Sequence, residues 1–237
     1  MTLGTADTVA TRPATASELL LIIGSDSAPI EALPDGAARQ LAGEYRGRRI
    51  RLAPHLAAVA FWSLHRQGAI SLEVRRSKAL GFISRTELVA GLGQPAQAIP
   101  GIEGQLLSVI GRRKPGDVGG VVREWFGRPS SDVDGVVIRR VMEQASQTGL
   151  LSITREDAGR GLIGGVLHGK EKEIVAADAA AMASVAGEIS QVASDWLAFP
   201  QTQPDLSAEL ANRCQKALDS RKPVDSDGGD FGGDADD

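Results

Sequence analysis

PHLAAVAFWSLHRQGAISLEV, residues 54–74, changes its apolar period once, at a glycine. Before the glycine, Leu56, Val59, Ala60 and Leu64 recur at three- and four-residue steps, the spacing of one helix face. Pro54 suits a first turn, where its missing N–H would go unbonded anyway. Gly68 stands where a helix end favours a residue free to take positive φ. Beyond it Ile70, Leu72 and Val74 alternate, the period of a strand with one buried face. Arg75 to Lys78 then read as a polar turn and residues 79–83 as a second strand, so the layout is that of a winged-helix half. Ser84-Arg85-Thr86-Glu87 has the form of a capping box and is expected to open a short helix.

The pattern returns further along. Ile102, Leu106, Val109 and Ile110 predict a helix that ends at Gly111. Asp117 can cap a second with Val118, Val121, Val122, Trp125 and Phe126, and Asp132 a third with Val133, Val136, Val137 and Val141. Gly149 closes that third helix, and Gly149-Leu150-Leu151-Ser152-Ile153 matches Gly68-Ala69-Ile70-Ser71-Leu72 in register. The glycine-rich residues 155–170 suit a wing hairpin with Leu162, Ile163, Val166 and Leu167 inward. Ile174, Ala181, Val185, Ile189, Val192, Trp196 and Phe199 predict one long helix, stopped by Pro200 and docked along one face on its own domain or on a second copy. A last helix, capped by Asp205 or Ser207, carries Leu206, Leu210 and Leu218.

The expected fold class is therefore α+β, mostly helical, with tandem winged-helix-like units and a long C-terminal helix. A disordered leader occupies residues 1–16, the first unit 17–100, the second 101–170, the C-terminal helices 171–220 and a disordered acidic tail 221–237. Within the first unit, Ser17 and Glu18 open a short apolar element at 19–23, residues 24–36 read as loop, and 37–52 fit neither period cleanly. From Asp225 onward stand six Asp and no base, too polar to bury a core; the tail is expected to solubilise the chain or to compete for its basic face.

The longest apolar runs fall far short of the roughly 18 residues a membrane span needs. A single cysteine, Cys214, excludes an internal disulfide framework and the usual cysteine zinc sites. These features predict a cytoplasmic protein, peripheral to a membrane at most. His55, His65 and His168 share no ligand spacing, and the glycine runs lack the G-K-S/T ending of a phosphate loop. No G-x-S-x-G elbow is present either. No catalytic residue, metal or cofactor is therefore expected, and the protein reads as a non-enzyme. Trp62, Trp125 and Trp196 are expected in the core, with Trp125 and Phe126 the alternative partner-facing edge.

Charge carries the functional signal. The net charge of −4 divides into +9 over residues 46–140 and −13 over the remainder. The bases are clustered, and arginine dominates at 20 against 6 lysines; a guanidinium donates two parallel hydrogen bonds to an oxyanion. The candidate anion-binding residues are Arg75, Arg76, Lys78, Arg112, Arg113, Lys114, Arg139 and Arg140.

Residues 64–73, LHRQGAISLE, with the RRSK turn at 75–78, Trp125, Arg139-Arg140 before Gly149-Leu150-Leu151, and Leu19-Leu20-Leu21 after Glu18 resemble the Golgi-phosphoprotein-type domain family in its bacterial branch. That resemblance implies a mostly helical adaptor that binds phosphoinositide headgroups through basic residues and holds client proteins at a membrane. The chain departs from the family in having no Trp ahead of the 54–67 helix and no Thr-His-Pro stretch after the second wing.

The expected function is a non-catalytic adaptor whose basic face on residues 46–140 meets an anionic membrane surface or an acidic protein. The alternative is a winged-helix nucleic-acid-binding regulator, for which Arg139, Arg140 and Gln144 are the better-placed reading residues. Self-association is expected, if anywhere, through the long helix at 171–199.

Overall fold

A computed structural model of the chain describes residues 12–47, 50–79, 83–94, 98–163 and 166–223, with residues 77–79, 83–85, 155–163 and 166–173 described by backbone alone. The fold is α+β and mostly helical, as the periodicities require. Its centre is a pair of helices, α1 (Ala16–Gly24) and α3 (Leu52–Arg66). All nine residues of α1 are buried, the polar Ser17 and Glu18 included. A helix apolar around its whole circumference is stable only inside a protein, and one this short would not persist alone. Each of Leu19, Leu20, Leu21, Ile22 and Ile23 contributes about 1.5–3 kcal/mol by leaving water. Eleven residues of α3 are buried, and α3 touches α1 and, across the fold, α4 (Gly101–Gly111), α6 (Val133–Gln147) and α9 (Pro204–Asp219).

The N-terminal segment begins as structure earlier than expected. Thr15 caps α1 in a capping box with Glu18, so residues 12–16 belong to the fold and not to a disordered leader. Residues 1–11 and the acidic tail from 224 lie outside the described residues. The ambiguous stretch after Pro34 is a helix, α2 (Gly36–Arg46), started by the Asp35 carboxylate accepting from the Ala38 N–H at 2.8 Å.

The two helix-to-strand junctions are the same structure twice. At the end of α3, Ala69 N–H donates to Leu64 O at 3.0 Å and Gly68 N–H to His65 O at 3.0 Å, with Gly68 at φ 71°. At the end of α6, Leu150 N–H donates to Ala145 O at 2.9 Å and Gly149 N–H to Ser146 O at 3.0 Å, with Gly149 at φ 76°. Both are Schellman ends. A Cβ at either glycine would meet nothing within 4 Å. Gly68→Ala and Gly149→Ala should therefore each cost only the backbone strain of the left-handed region, about 1 kcal/mol in urea denaturation.

Each junction leads into an antiparallel hairpin. β1 (Ile70–Ala79) pairs with β2 (Ile83–Leu92) in the register Ile70 to Leu92, and the two-residue β3 (Gly116–Asp117) adds to the outer edge of β2. This corrects three expectations. Residues 75–78 are strand, not turn; the second strand is Ile83–Leu92 and not residues 79–83, Ala79 belonging to β1; and the S-x-x-E pattern at 84–87 opens no helix. Cross-strand pairing sets Arg75 against Glu87 and Arg76 against Thr86, while Leu88, Val89 and Ala90 are buried at the base. A run of pairs on both sides of a ladder outweighs one local cap. The second hairpin joins β4 (Leu151–Ile163) to β5 (Val166–Ala177), with a register shift between Asp157 and Arg160. The inward packing expected for Leu162, Ile163, Val166 and Leu167 lies outside the described side chains.

Because β5 runs to Ala177, Ile174 belongs to a strand and the expected long helix starts later. It divides into α7 (Ala179–Ser184), capped by Asp178, and α8 (Ala186–Thr202). Pro200 does not stop α8; it removes one backbone donor near the end, and the helix closes at Thr202. Pro204 then opens α9 at its first position, with Gln203 rather than Asp205 or Ser207 at the cap. Between these elements, α4, α5 (Val118–Phe126) and α6 form as read, with Asp117 and Asp132 capping α5 and α6. The buried apolar side chains of all these helices, with Ile70, Leu72 and Leu88 from the first hairpin and Leu151 from the second, form a single cluster. Among the described residues no helix is long and apolar enough to cross a membrane.

Candidate functional site

The eight candidate bases separate into two kinds. Arg140 is structural. It donates to Trp125 O and Phe126 O at 3.1 Å each, the open carbonyls at the end of α5, and its guanidinium lies over both rings. Burial pulls its pKa below the usual arginine range. Arg46 and Arg51, from the first basic run, are committed in the same way. Arg46 donates to Ile22 O, Ile23 O and Ala28 O and so closes the end of α1. Arg51 grips Asp134 with two hydrogen bonds of 2.6 and 2.9 Å and Asp219 with one of 2.8 Å, tying the start of α3 to α6 and α9. Burial alone would raise the Asp219 carboxyl, but Arg51 and Lys222 outweigh it and hold it below the usual range.

Arg75, Arg76, Arg112, Arg113, Lys114 and Arg139 are exposed, though not as one cluster. Arg75 pairs with Glu73 at 2.8 Å and Arg76 with Asp205 at 3.0 Å, on the outer part of the first hairpin. Lys78 sits opposite Ser84 in the same hairpin, its side chain outside the description. Arg112, Arg113 and Lys114 form the link between α4 and β3, and Arg139 stands on the exposed side of α6. Arg112 and Arg113 share Glu124 of α5. Lys114 and Arg139 have no ionic partner among the described residues.

The structure adds one base that linear clustering missed. Arg123 projects back along α5, so that its Nη2 and the Nη1 of Arg113 lie 3.9 and 3.5 Å from the point where a Cβ on Gly120 would sit. Two guanidiniums thus converge over the first turn of α5; a Cβ on Gly119 would stand 3.4 Å from Arg123 Nη1 and only 2.9 Å from the Oδ2 of the capping Asp117. Arg123 is exposed and without an ionic partner among the described residues. No sequence cluster marks it; the signal is the Gly119-Gly120 pair beneath it.

On another side of the fold two carboxylates are buried. Glu18 is fully buried and bound by Arg12, which also donates to Gln144 O at 3.2 Å. Glu103, on α4, is 1% exposed. Its Oε1 accepts from the Ser17 N–H at 3.0 Å and its Oε2 from the Ser17 hydroxyl at 2.9 Å, so it caps α1 from a neighbouring helix. Gln144 completes the junction by accepting from the Ile102 N–H at 3.0 Å. Burial pushes the Glu103 carboxyl up, the Ser17 hydrogen bonds oppose this, and the charge of Glu18 adds to it. A folded-state pKa above the unfolded value of about 4.5 stabilises the protein at acid pH, and that stabilisation is lost as pH rises through the folded pKa. Glu103→Gln should therefore gain stability relative to the parent between pH 4.5 and 8, a trend that paired thermal melts across that range would show or refute.

Glu103 stands in the wall of a cavity of about 610 Å³ bordered by α1, α3, α4 and α8. Among the described residues no group of three or more His, Cys, Asp and Glu is arranged to hold a metal ion. Cys214 is buried, which pushes its thiol well above the ordinary range. No family model, curated protein or solved structure matches the chain.

Proposed function

We propose that the protein is a non-catalytic adaptor that meets an anionic surface with the face around the first turn of α5. The observation that carries this reading is the convergence of Arg113 and Arg123 over Gly120; Lys114, next to Arg113 in sequence, is exposed and has no ionic partner among the described residues. Exposed guanidiniums held within reach of one another suit phosphate or carboxylate, and each base near an anionic membrane contributes about 1 kcal/mol. A membrane leaflet is the partner we favour, with the protein cytoplasmic and peripheral; an acidic protein surface is the other. The repeated helix–glycine–hairpin junctions support a reading as two winged-helix-like units, at 17–100 and 101–170.

The nucleic-acid reading is weaker on one specific ground. A winged helix reads the groove with the helix before its wing. Here the first such helix, α3, is the core of the molecule. The second, α6, spends Arg140 on capping α5 and carries Asp134 and Glu143 beside Arg139. Self-association through α8 also loses support, since Ile189, Ala193, Trp196 and Phe199 are buried within the chain's own fold and α8 packs on α1, α2 and α9.

Competition between anionic vesicles and a mixed-sequence DNA duplex, run over a salt series, tests the reading. The adaptor predicts that the vesicles win at every salt concentration. A duplex that wins, with a steep logarithmic salt slope, would replace it.

A further inference from the structure

The cavity between α1, α3, α4 and α8 is separate from the α5 face and calls for a different ligand. Its volume of about 610 Å³ is that of a small-molecule site. Leu19, Ile99 and Val192 supply apolar wall. The charged residues lining it are two, Glu103 and Glu188, and both are acids. Glu103 has no cation of its own: Arg12 is engaged with Glu18, and no ion pair to Glu103 is formed among the described residues. The Glu103 oxygens accept from the Ser17 N–H and hydroxyl, and the carboxylate, 1% exposed in the cavity wall, has acceptor capacity left for a further donor. A carboxylate buried without a cation is disfavoured, and a cationic guest would relieve that. Glu188 is exposed on α8 and marks the open side.

We infer that this cavity binds a small amphiphilic amine, its apolar body against Leu19, Ile99 and Val192 and its ammonium drawn by Glu103 and Glu188. A neutral guest of the same shape fills the apolar volume but leaves both carboxylates unmatched. An anionic guest adds a third like charge.

The test uses three probes of one shape on the full chain: 3-phenylpropylamine, 3-phenylpropanol and 3-phenylpropionate, titrated at neutral pH by calorimetry. The amine is expected to bind about tenfold more tightly than the alcohol, the ratio that about 1.4 kcal/mol of charge-assisted contact gives. The acid is expected to be weakest. Glu103→Gln and Glu188→Gln should each shrink the amine-to-alcohol ratio, and Val192→Trp, which fills the cavity, should abolish binding of all three. Glu188→Gln alters an exposed side chain, so it reads out independently of any change that Glu103→Gln makes at the start of α1. Equal affinities for amine and alcohol, a ratio unchanged in Glu188→Gln, binding that survives Val192→Trp, or no binding of any probe would each overturn the inference.

Discussion

Replacing Arg12 by alanine is expected to lower the unfolding free energy by about 3 kcal/mol, an unusually large effect for a residue in a polar N-terminal segment. Arg12 is a quarter exposed, but its partner Glu18 is fully buried. Without the guanidinium, Glu18 keeps only the Thr15 N–H at 2.8 Å, and a buried carboxylate is left without a cation. The same change also removes the second donor from Gln144 O, which keeps the Thr148 N–H at 3.1 Å. Urea denaturation of Arg12→Ala measures the loss. The cause is isolated by the Glu18→Gln background, in which no charge remains to be stranded and Arg12→Ala should cost clearly less. Equal losses in the two backgrounds would mean that Arg12 acts by packing alone.

Of comparable size, but in binding rather than stability, is the effect of removing Arg113, Lys114 and Arg123 together. At about 1 kcal/mol for each base the triple alanine variant should partition onto anionic vesicles roughly 100-fold less well. Its melting temperature should scarcely move, because Lys114 and Arg123 have no ionic partner among the described residues and the Arg113–Glu124 pair is exposed. Arg140→Ala is the converse. It leaves the Trp125 and Phe126 carbonyls without their donor and should destabilise α5, while folded molecules bind vesicles as before. A triple variant with undiminished binding would place the anionic contact elsewhere.

Much of the helical framework was legible in the chain. α3, α4, α5 and α6 announce themselves by apolar steps of three and four and by Asp or Gly at their ends, and these are the elements whose local preference agrees with their packing. Where the two disagree the reading fails. Ser84 to Glu87 offers a helix cap, yet the partner strand holds it extended. Ile174 fits the helical phase of α8 by coincidence of spacing, while its backbone pairs with Thr154. Helix α2, GAARQLAGEYR, is too weakly periodic to declare itself; its capping Asp35 and its contacts with α1 and α8 settle it.

The site was less legible, for a physical reason. Charge counted along a chain does not distinguish an arginine that closes a helix from one that faces solvent. Arg46, Arg51 and Arg140 were part of the basic signal and prove to be structural, whereas Arg123 stood alone in sequence and faces Arg113 in space. Glu103 did leave a trace. It lies three and seven residues before Leu106 and Ile110, on the apolar face of α4, where an acid without a role would be expelled.

Co-flotation of the unmodified full chain with vesicles tests the adaptor most directly. Anionic and neutral bilayers are compared at low and at physiological salt. Flotation is expected with the anionic vesicles alone, stronger at low salt and still present at physiological salt. Equal recovery with neutral vesicles, or no recovery with either, would contradict it.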